Sequence, residues 1–403
     1  MGSRFHKTDK KYLEYTENSL QKAVNEERIT ESDAKTIKEF INEKQATAER
    51  LSPSRVFKIA VILIGTRQYL EVPFLDATID DLNDAVRRIK GASEYKQNTR
   101  SDYVRFLKRF ALWLVESGRV DMPEKRIRAI KVPSLDNMTK TAEMMLDEEE
   151  VRAIIDKCRN SRDKCFLMML YEGAFRVGEL GNLKWGQVQF PRDRDWSIIV
   201  NVDDKTGKPR MVPLVMSKPF LVTYMNDNNI SREHDAHVFL TNRGQPLQYA
   251  GVAKMLKVAA KDAGITKNVT PHLFRHSRIT HMVRDGMGES IVKQVAWGNQ
   301  STNMLATYNH ITNETIMDAV AEKYGIKKPE TREEKKVFEP IQCPTCGKVN
   351  PPGTKYCGEC MQPLTEEAIR DTSAATSIAN KGLESILQDP DKLAKLQKLL
   401  ESL

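Results

Sequence analysis

Apolar residues recur every three or four positions along most of the chain, and strict alternation is confined to short runs. In NTRSDYVRFLKRFALWLVESG (98–118), Tyr103, Phe106, Leu107, Phe110 and Leu114 fall on one stripe of a helix. Arg100, Arg105, Lys108 and Arg109 cover much of the rest, giving a basic amphipathic helix. Ser52 followed by Pro53 predicts a helix start, with the helix running to about Tyr69. Thr78 and Asp81 open another that ends before Gly91. Residues 1–120 therefore read as all-helical. The basic, proline-punctuated stretch that follows has no period and reads as a linker over 121–140.

A second region starts at Asp147 and Glu150, which make a capping-box pattern. The run CFLMMLYEGA (165–174) continues as helix. WSIIVNV (196–202) and RMVPLVM (210–216) read as strands, and the turn-rich DDKTGKP between them predicts a hairpin. Helices resume near Tyr249, Thr270 and Pro271 cap and open one, and NETIMDAVAEKYG (313–325) is amphipathic. A charged connector leads to a four-cysteine segment. Asp389 and Pro390 open a last helix, with Leu393, Leu396, Leu400 and Leu403 at coiled-coil-like spacing. That seam is short for an independent coiled coil and can dock on its own domain or pair subunits.

A chain of 403 residues exceeds one ordinary domain. The longest apolar run, IAVILIG (59–65), is too short to span a bilayer. The N-terminal stretch has no apolar signal core, so no membrane association and a cytoplasmic, nucleoid-associated location are expected. The net charge of +8 favours a polyanionic partner without proving one.

Four local signals bear on chemistry. Arg176 follows a helix that ends near Gly173, with Glu179 three residues on; a guanidinium there can meet a phosphate while the carboxylate holds it from behind. Lys205, at the hairpin tip, can protonate a leaving oxygen. In PHLFRHSRITHMV (271–283), His272 and Arg275 are spaced to present one helix face to a single phosphate. His276 and His281 suit helix packing or backbone contact equally well, and no carboxylate sits at the spacing a zinc site on this helix would need. Tyr308 lies in a polar segment between two helices.

The order Arg, hairpin Lys, His-x-x-Arg, Tyr resembles the catalytic domain of the tyrosine recombinase (phage-type integrase) family. Its first arginine box, G-x-R-x-x-E-L-x-x-L-x-W, is matched by GAFRVGELGNLKW. Its hairpin lysine precedes R-x-V-P-L, as in DKTGKPRMVPL, and its H-x-x-R-H box is HLFRH. Nine residues before Tyr308 stands Asn299, and Trp297-Gly298-Asn299 replaces the usual Leu-Gly-His. Asn299 donates a hydrogen bond but carries no charge and shuttles no proton; Trp297 offers an indole donor nearby. The last helix of the first region also resembles the family's core-binding domain.

The resemblance implies a mainly α fold with a small β-sheet. Its expected organisation is a helical core-binding domain (1–120), a linker (121–140) and an α+β catalytic domain (141–326). A second linker (327–340), a zinc ribbon (341–364) and C-terminal helices (365–403) follow. It implies attack by Tyr308 on a DNA phosphate, with Arg176 and Arg275 clamping the non-bridging oxygens, Lys205 protonating the 5′-oxygen and His272 assisting. No cofactor is then needed for strand exchange. Double-stranded DNA with a specific site is the expected partner, bound by a homotetramer.

The ribbon is read from the cysteines themselves. Cys343, Cys346, Cys357 and Cys360 follow C-x2-C-x10-C-x2-C, which can place four thiolates in a tetrahedron around a structural Zn²⁺. The other two cysteines, Cys158 and Cys165, lie in helical sequence and suggest a reducing compartment. A protein partner of the ribbon or the C-terminal helices is a further expectation. The competing readings are a non-catalytic DNA-binding protein on the same fold, a zinc-ribbon adaptor, and a type IB topoisomerase.

Overall fold

The computed structural model describes residues 5, 8–47, 51–136, 144–193, 196–202, 209–228, 230–307, 338, 340–350 and 352–387. Lys205, Tyr308, the 313–325 segment and the leucines from 393 onward lie outside the described residues. The chain divides into two compact units, residues 1–140 and 141–403.

The first unit is helical: α1 (Asp9–Asn25), α2 (Glu31–Thr47), α3 (Pro53–Arg67), α4 (Ile79–Gly91), α5 (Gln97–Glu116) and α6 (Glu124–Ala129). Thr78 and Asp81 make a reciprocal capping box for α4. Ser52 is the N-cap of α3, but its hydroxyl bonds Ser54 rather than the helix backbone. The predicted stripe of α5 is the one that packs: Phe106, Leu107, Phe110 and Leu114 are buried. Phe110 stands edge-on to Phe40 and Phe74, with ring centroids at 5.2 and 4.9 Å. The stretch expected as linker carries α6, because Ile127 reaches the core of this unit and is fully buried there.

The second unit contains α7 (Glu148–Asp156), α8 (Ser161–Glu172), α9 (Val177–Gly181), α10 (Ser217–Asn228), α11 (Tyr249–Asp262), α12 (Pro271–Arg284) and α13 (Glu289–Trp297). Strands β1 (Val188–Gln189), β2 (Ile198–Val202) and β3 (Arg210–Leu214) form an antiparallel sheet in chain order. The hairpin strands pair in the register Val200 to Val212, so Ile198, Val200, Val202, Val212 and Leu214 all face the core. Helix α8 is buried on every side from Cys165 to Glu172, and the other elements pack around it. Cys158 and Cys165 are both buried; burial pushes the Cys158 thiol up to about 12 and that of Cys165 well above its usual range. Strands β4 (Ile341–Gln342) and β5 (Val349–Asn350) frame the first cysteine knuckle, and α14 (Glu366–Leu387) follows the second. No described helix is long and apolar enough to cross a membrane.

Candidate active site and cysteine centre

Two small residues build the turn that carries Arg176. Helix α8 ends at Gly173, where an added Cβ would lie 2.3 Å from the Phe175 ring. Ala174 then takes φ = 45°, in the left-handed region that favours glycine. The match to the arginine box holds from Arg176 onward and needs one correction: the box's glycine falls two residues before the arginine, where this chain has Ala174. Its carbonyl accepts from Nη1 of Arg275 on α12. Nη2 of Arg275 donates to the Ala296 carbonyl in α13 at 2.6 Å, and the guanidinium lies 5.6 Å over the Trp297 ring. One planar fork therefore ties the segment before Arg176 to the segment before Asn299. The apolar floor is shared as well, since Ala174, Ile279, Val292, Trp297 and Leu305 belong to one buried cluster.

Arg176 caps α9 and keeps its side chain 39% exposed. Its Nη1 meets Glu179 Oε1 at 2.8 Å, and its backbone N–H donates to Oε2 at 2.7 Å. The carboxylate expected behind Arg176 is thus in place. A second guanidinium, not foreseen from sequence, also grips it: Arg210 at the start of β3 lies 2.6 Å from Oε2 and 3.1 Å from Oε1. Arg210 Nε donates to Val295 O at 2.8 Å, which holds β3 against α13. The other end of β3 is fixed by buried Glu172, which accepts from the N–H groups of Val215, Met216 and Ser217 and from the Ser217 hydroxyl at 2.6–2.9 Å. The base of the hairpin is therefore bolted at both ends to the segment that presents Arg176.

His272 and Arg275 differ in depth, which corrects the expectation that their spacing presents both alike. His272 is exposed on the first turn of α12, with its ring edge-on to His276 at 4.2 Å. Arg275 is only 3% exposed, because its two carbonyl partners belong to segments packed against the inner face of α12. His281 is a packing residue. It is buried, its Nδ1 lies 2.7 Å from the Tyr171 hydroxyl, and burial, with Arg284 and Arg278 nearby, pulls its pKa down to about 4. Asn299 follows Gly298, which ends α13 at φ = 62°, and its Oδ1 accepts from Ser301 N at 3.0 Å. Trp297 is buried in the apolar cluster, with the Arg275 guanidinium over its ring.

The basic face of α5 is partly committed within its own unit. Lys108 Nζ donates to the carbonyls of Arg128 and Ile130 at 2.6 and 2.7 Å, closing the end of α6. Arg105 pairs with Asp102 at 3.1 Å, and Arg100 donates to Lys90 O at 3.0 Å.

The four sulfurs of Cys343, Cys346, Cys357 and Cys360 all lie within 4.8 Å of one another. Each knuckle turns on a left-handed residue after its second cysteine, Gly347 at φ = 74° and Met361 at φ = 59°. Backbone N–H groups close both knuckles, Gly347 to Cys343 O and Met361 to Cys357 O, each at 2.9 Å. Asn350 Nδ2 and Glu359 N point at the Cys357 sulfur from 3.6 and 3.5 Å, as donors that stabilise a thiolate. The donor set fits a tetrahedral metal ion. This module rests on the rest of its unit: the Phe338 ring lies 5.2 Å from that of Tyr171, and Arg152 donates to Pro352 O at 3.5 Å.

Residues 144–315 match the phage integrase family model. The chain is similar to tyrosine recombinase XerA of Pyrococcus horikoshii, 29% identical over 204 residues, or 50% of this chain and 66% of that protein. It is also similar to transposase A from transposon Tn554 of Staphylococcus aureus, 30% identical over 188 residues, 42% of this chain and 50% of the relative. The chain spans between half and about two thirds of the length of the first curated relatives it matches. In fold, it resembles the Tn1549 transposon integrase in complex with a circular intermediate DNA, with TM-score 0.56 at 14% identity, covering 71% of this chain and 99% of the other. A lambda integrase tetramer bound to a Holliday junction gives TM-score 0.53 at 14% identity, covering 69% and 78%.

Proposed function

We propose that the protein is a site-specific DNA recombinase or integrase that cleaves and religates strands through a 3′-phosphotyrosine on Tyr308. The observation that supports this best is Arg275, whose fork joins the Arg176 turn to the end of α13 next to Asn299. Tyr308 attacks the phosphorus and the 5′-oxygen leaves. Arg176 and Arg275 stabilise the negative charge that builds on the non-bridging oxygens. Lys205 supplies the proton to the leaving oxygen. His272 and Asn299 donate hydrogen bonds to the phosphate, and His272 also accepts the tyrosine proton. The ester stores the energy of the broken bond, so religation by a 5′-hydroxyl reverses the step without ATP or Mg²⁺.

In this reading residues 1–120 are a core-binding domain that contacts duplex DNA, as the catalytic domain also does, largely through phosphates. Four copies assemble on paired specific sites, in the cytoplasm and on the nucleoid. The cysteine centre holds Zn²⁺ as a structural ion and takes no part in strand transfer. The test is a nicked suicide duplex incubated with wild-type protein and with Tyr308→Phe, with and without EDTA, and run on a denaturing gel. A covalent band made by the wild type alone supports the reading. Intact binding with no band would leave a non-catalytic DNA-binding protein.

A further inference from the structure

Arg210 is a fully buried cation to which the strand-transfer steps assign no part. Its side chain has 0% exposure and that of its partner Glu179 has 4%, while Arg176 keeps 39%. Glu179 is saturated by the two arginines. Oε1 accepts Nη1 of Arg176 at 2.8 Å and Nη1 of Arg210 at 3.1 Å. Oε2 accepts the Arg176 backbone N–H at 2.7 Å and Nη2 of Arg210 at 2.6 Å. Two guanidiniums share one carboxylate, so Glu179 is neutralised without Arg176, and of the two arginines Arg176 is the one that reaches the surface. Without Arg210, Arg176 and Glu179 would form a neutral pair, and a buried carboxylate with no other cation would draw the guanidinium inward.

We infer that Arg210 is a positioning residue that occupies Glu179, so that Arg176 keeps its charge for an incoming phosphate. That this phosphate belongs to DNA rests on the function proposed above. The competing account makes Arg210 an anchor only, through Glu179 and Val295 O. The two accounts part on a double variant. Arg210→Met removes anchor and counter-charge together. Adding Glu179→Gln removes the surplus negative charge and restores no anchor.

Wild type, Arg210→Lys, Arg210→Met and Arg210→Met/Glu179→Gln are compared in two assays. One is the single-turnover rate of the covalent adduct on a nicked duplex. The other is ³¹P line broadening of inorganic phosphate. Thermal melts select temperatures at which every variant is folded. Arg210→Met is expected to slow adduct formation about a hundredfold, the scale of losing one clamping donor. The double variant is expected to regain about tenfold of that, with Arg210→Lys within about tenfold of wild type. Phosphate broadening should follow the same order. A folded double variant no better than Arg210→Met in both assays overturns the inference. If the wild type forms no adduct on any duplex, the recombinase reading falls, and the order of phosphate binding still decides the role of Arg210.

Discussion

The Tyr171 hydroxyl lies 2.7 Å from Nδ1 of His281, joining α8 to α12. Both side chains are buried, and His281 is held neutral with its pKa at about 4. An unfolded histidine titrates near 6.5, so between about 6.5 and 4 the unfolded chain binds the extra proton. The contribution is present above pH 6.5 and is lost as pH falls through that window, up to roughly 3 kcal/mol. Urea midpoints at pH 7 and pH 5 measure it. His281→Gln should flatten the difference; an unchanged slope would assign the loss to other groups.

Arg176 and Arg275 should separate in a paired experiment. Arg275→Lys cannot reach two carbonyls from one plane, so adduct formation should fall about a hundredfold and the melting temperature should fall with it. Arg176→Lys should cost a similar factor in rate with stability within about 0.5 kcal/mol of wild type, because its side chain is part-exposed. Equal melting losses for the two would contradict the difference in depth.

Ala174 is a point of backbone strain. At φ = 45°, a residue with a Cβ costs about 1 kcal/mol that glycine does not. Ala174→Gly should therefore raise the urea midpoint and leave the rate of cleavage within about threefold. A lower midpoint would show that the lost methyl packing in the buried cluster outweighs the backbone relief.

Metal content gives a direct reading of the cysteine centre. Protein purified without chelator should carry one zinc per chain by elemental analysis, and Cys357→Ser should carry less than about a tenth of that. Wild-type protein stripped of metal should lose the ordered knuckles, seen as faster hydrogen exchange at Gly347 and Met361. Full protection without metal would mean that backbone hydrogen bonds suffice.

Much of this architecture is legible in the residues because it follows local rules. The stripe of α5, the Asp147–Glu150 cap, the hairpin strands and the paired knuckles each depend on spacing within one segment. The unread features depend on partners far along the chain. Strand β1 is two residues long and has no period to detect. Helix α6 has six residues and a single buried anchor, Ile127. Arg210, Glu172 and Arg275 are of residue types normally found on the surface, and each is buried because distant carbonyls, amides or a carboxylate receive its charge. Arg210 did leave a trace, as the first residue of R-x-V-P-L, but its partner Glu179 lies in another motif.

Lys108 changes what the surplus of positive charge means. An ammonium tied back onto the Arg128 and Ile130 carbonyls is held from reaching a phosphate, and so displaces few of the counterions condensed on a nucleic acid. Arg105, paired with Asp102, is discounted in the same way. Each phosphate neutralised on duplex DNA contributes about 0.9 to the logarithmic salt slope, so binding by the first unit should be less salt-sensitive than its count of lysines and arginines suggests. The ionic atmosphere of the DNA would register only those cations that the fold has not already claimed.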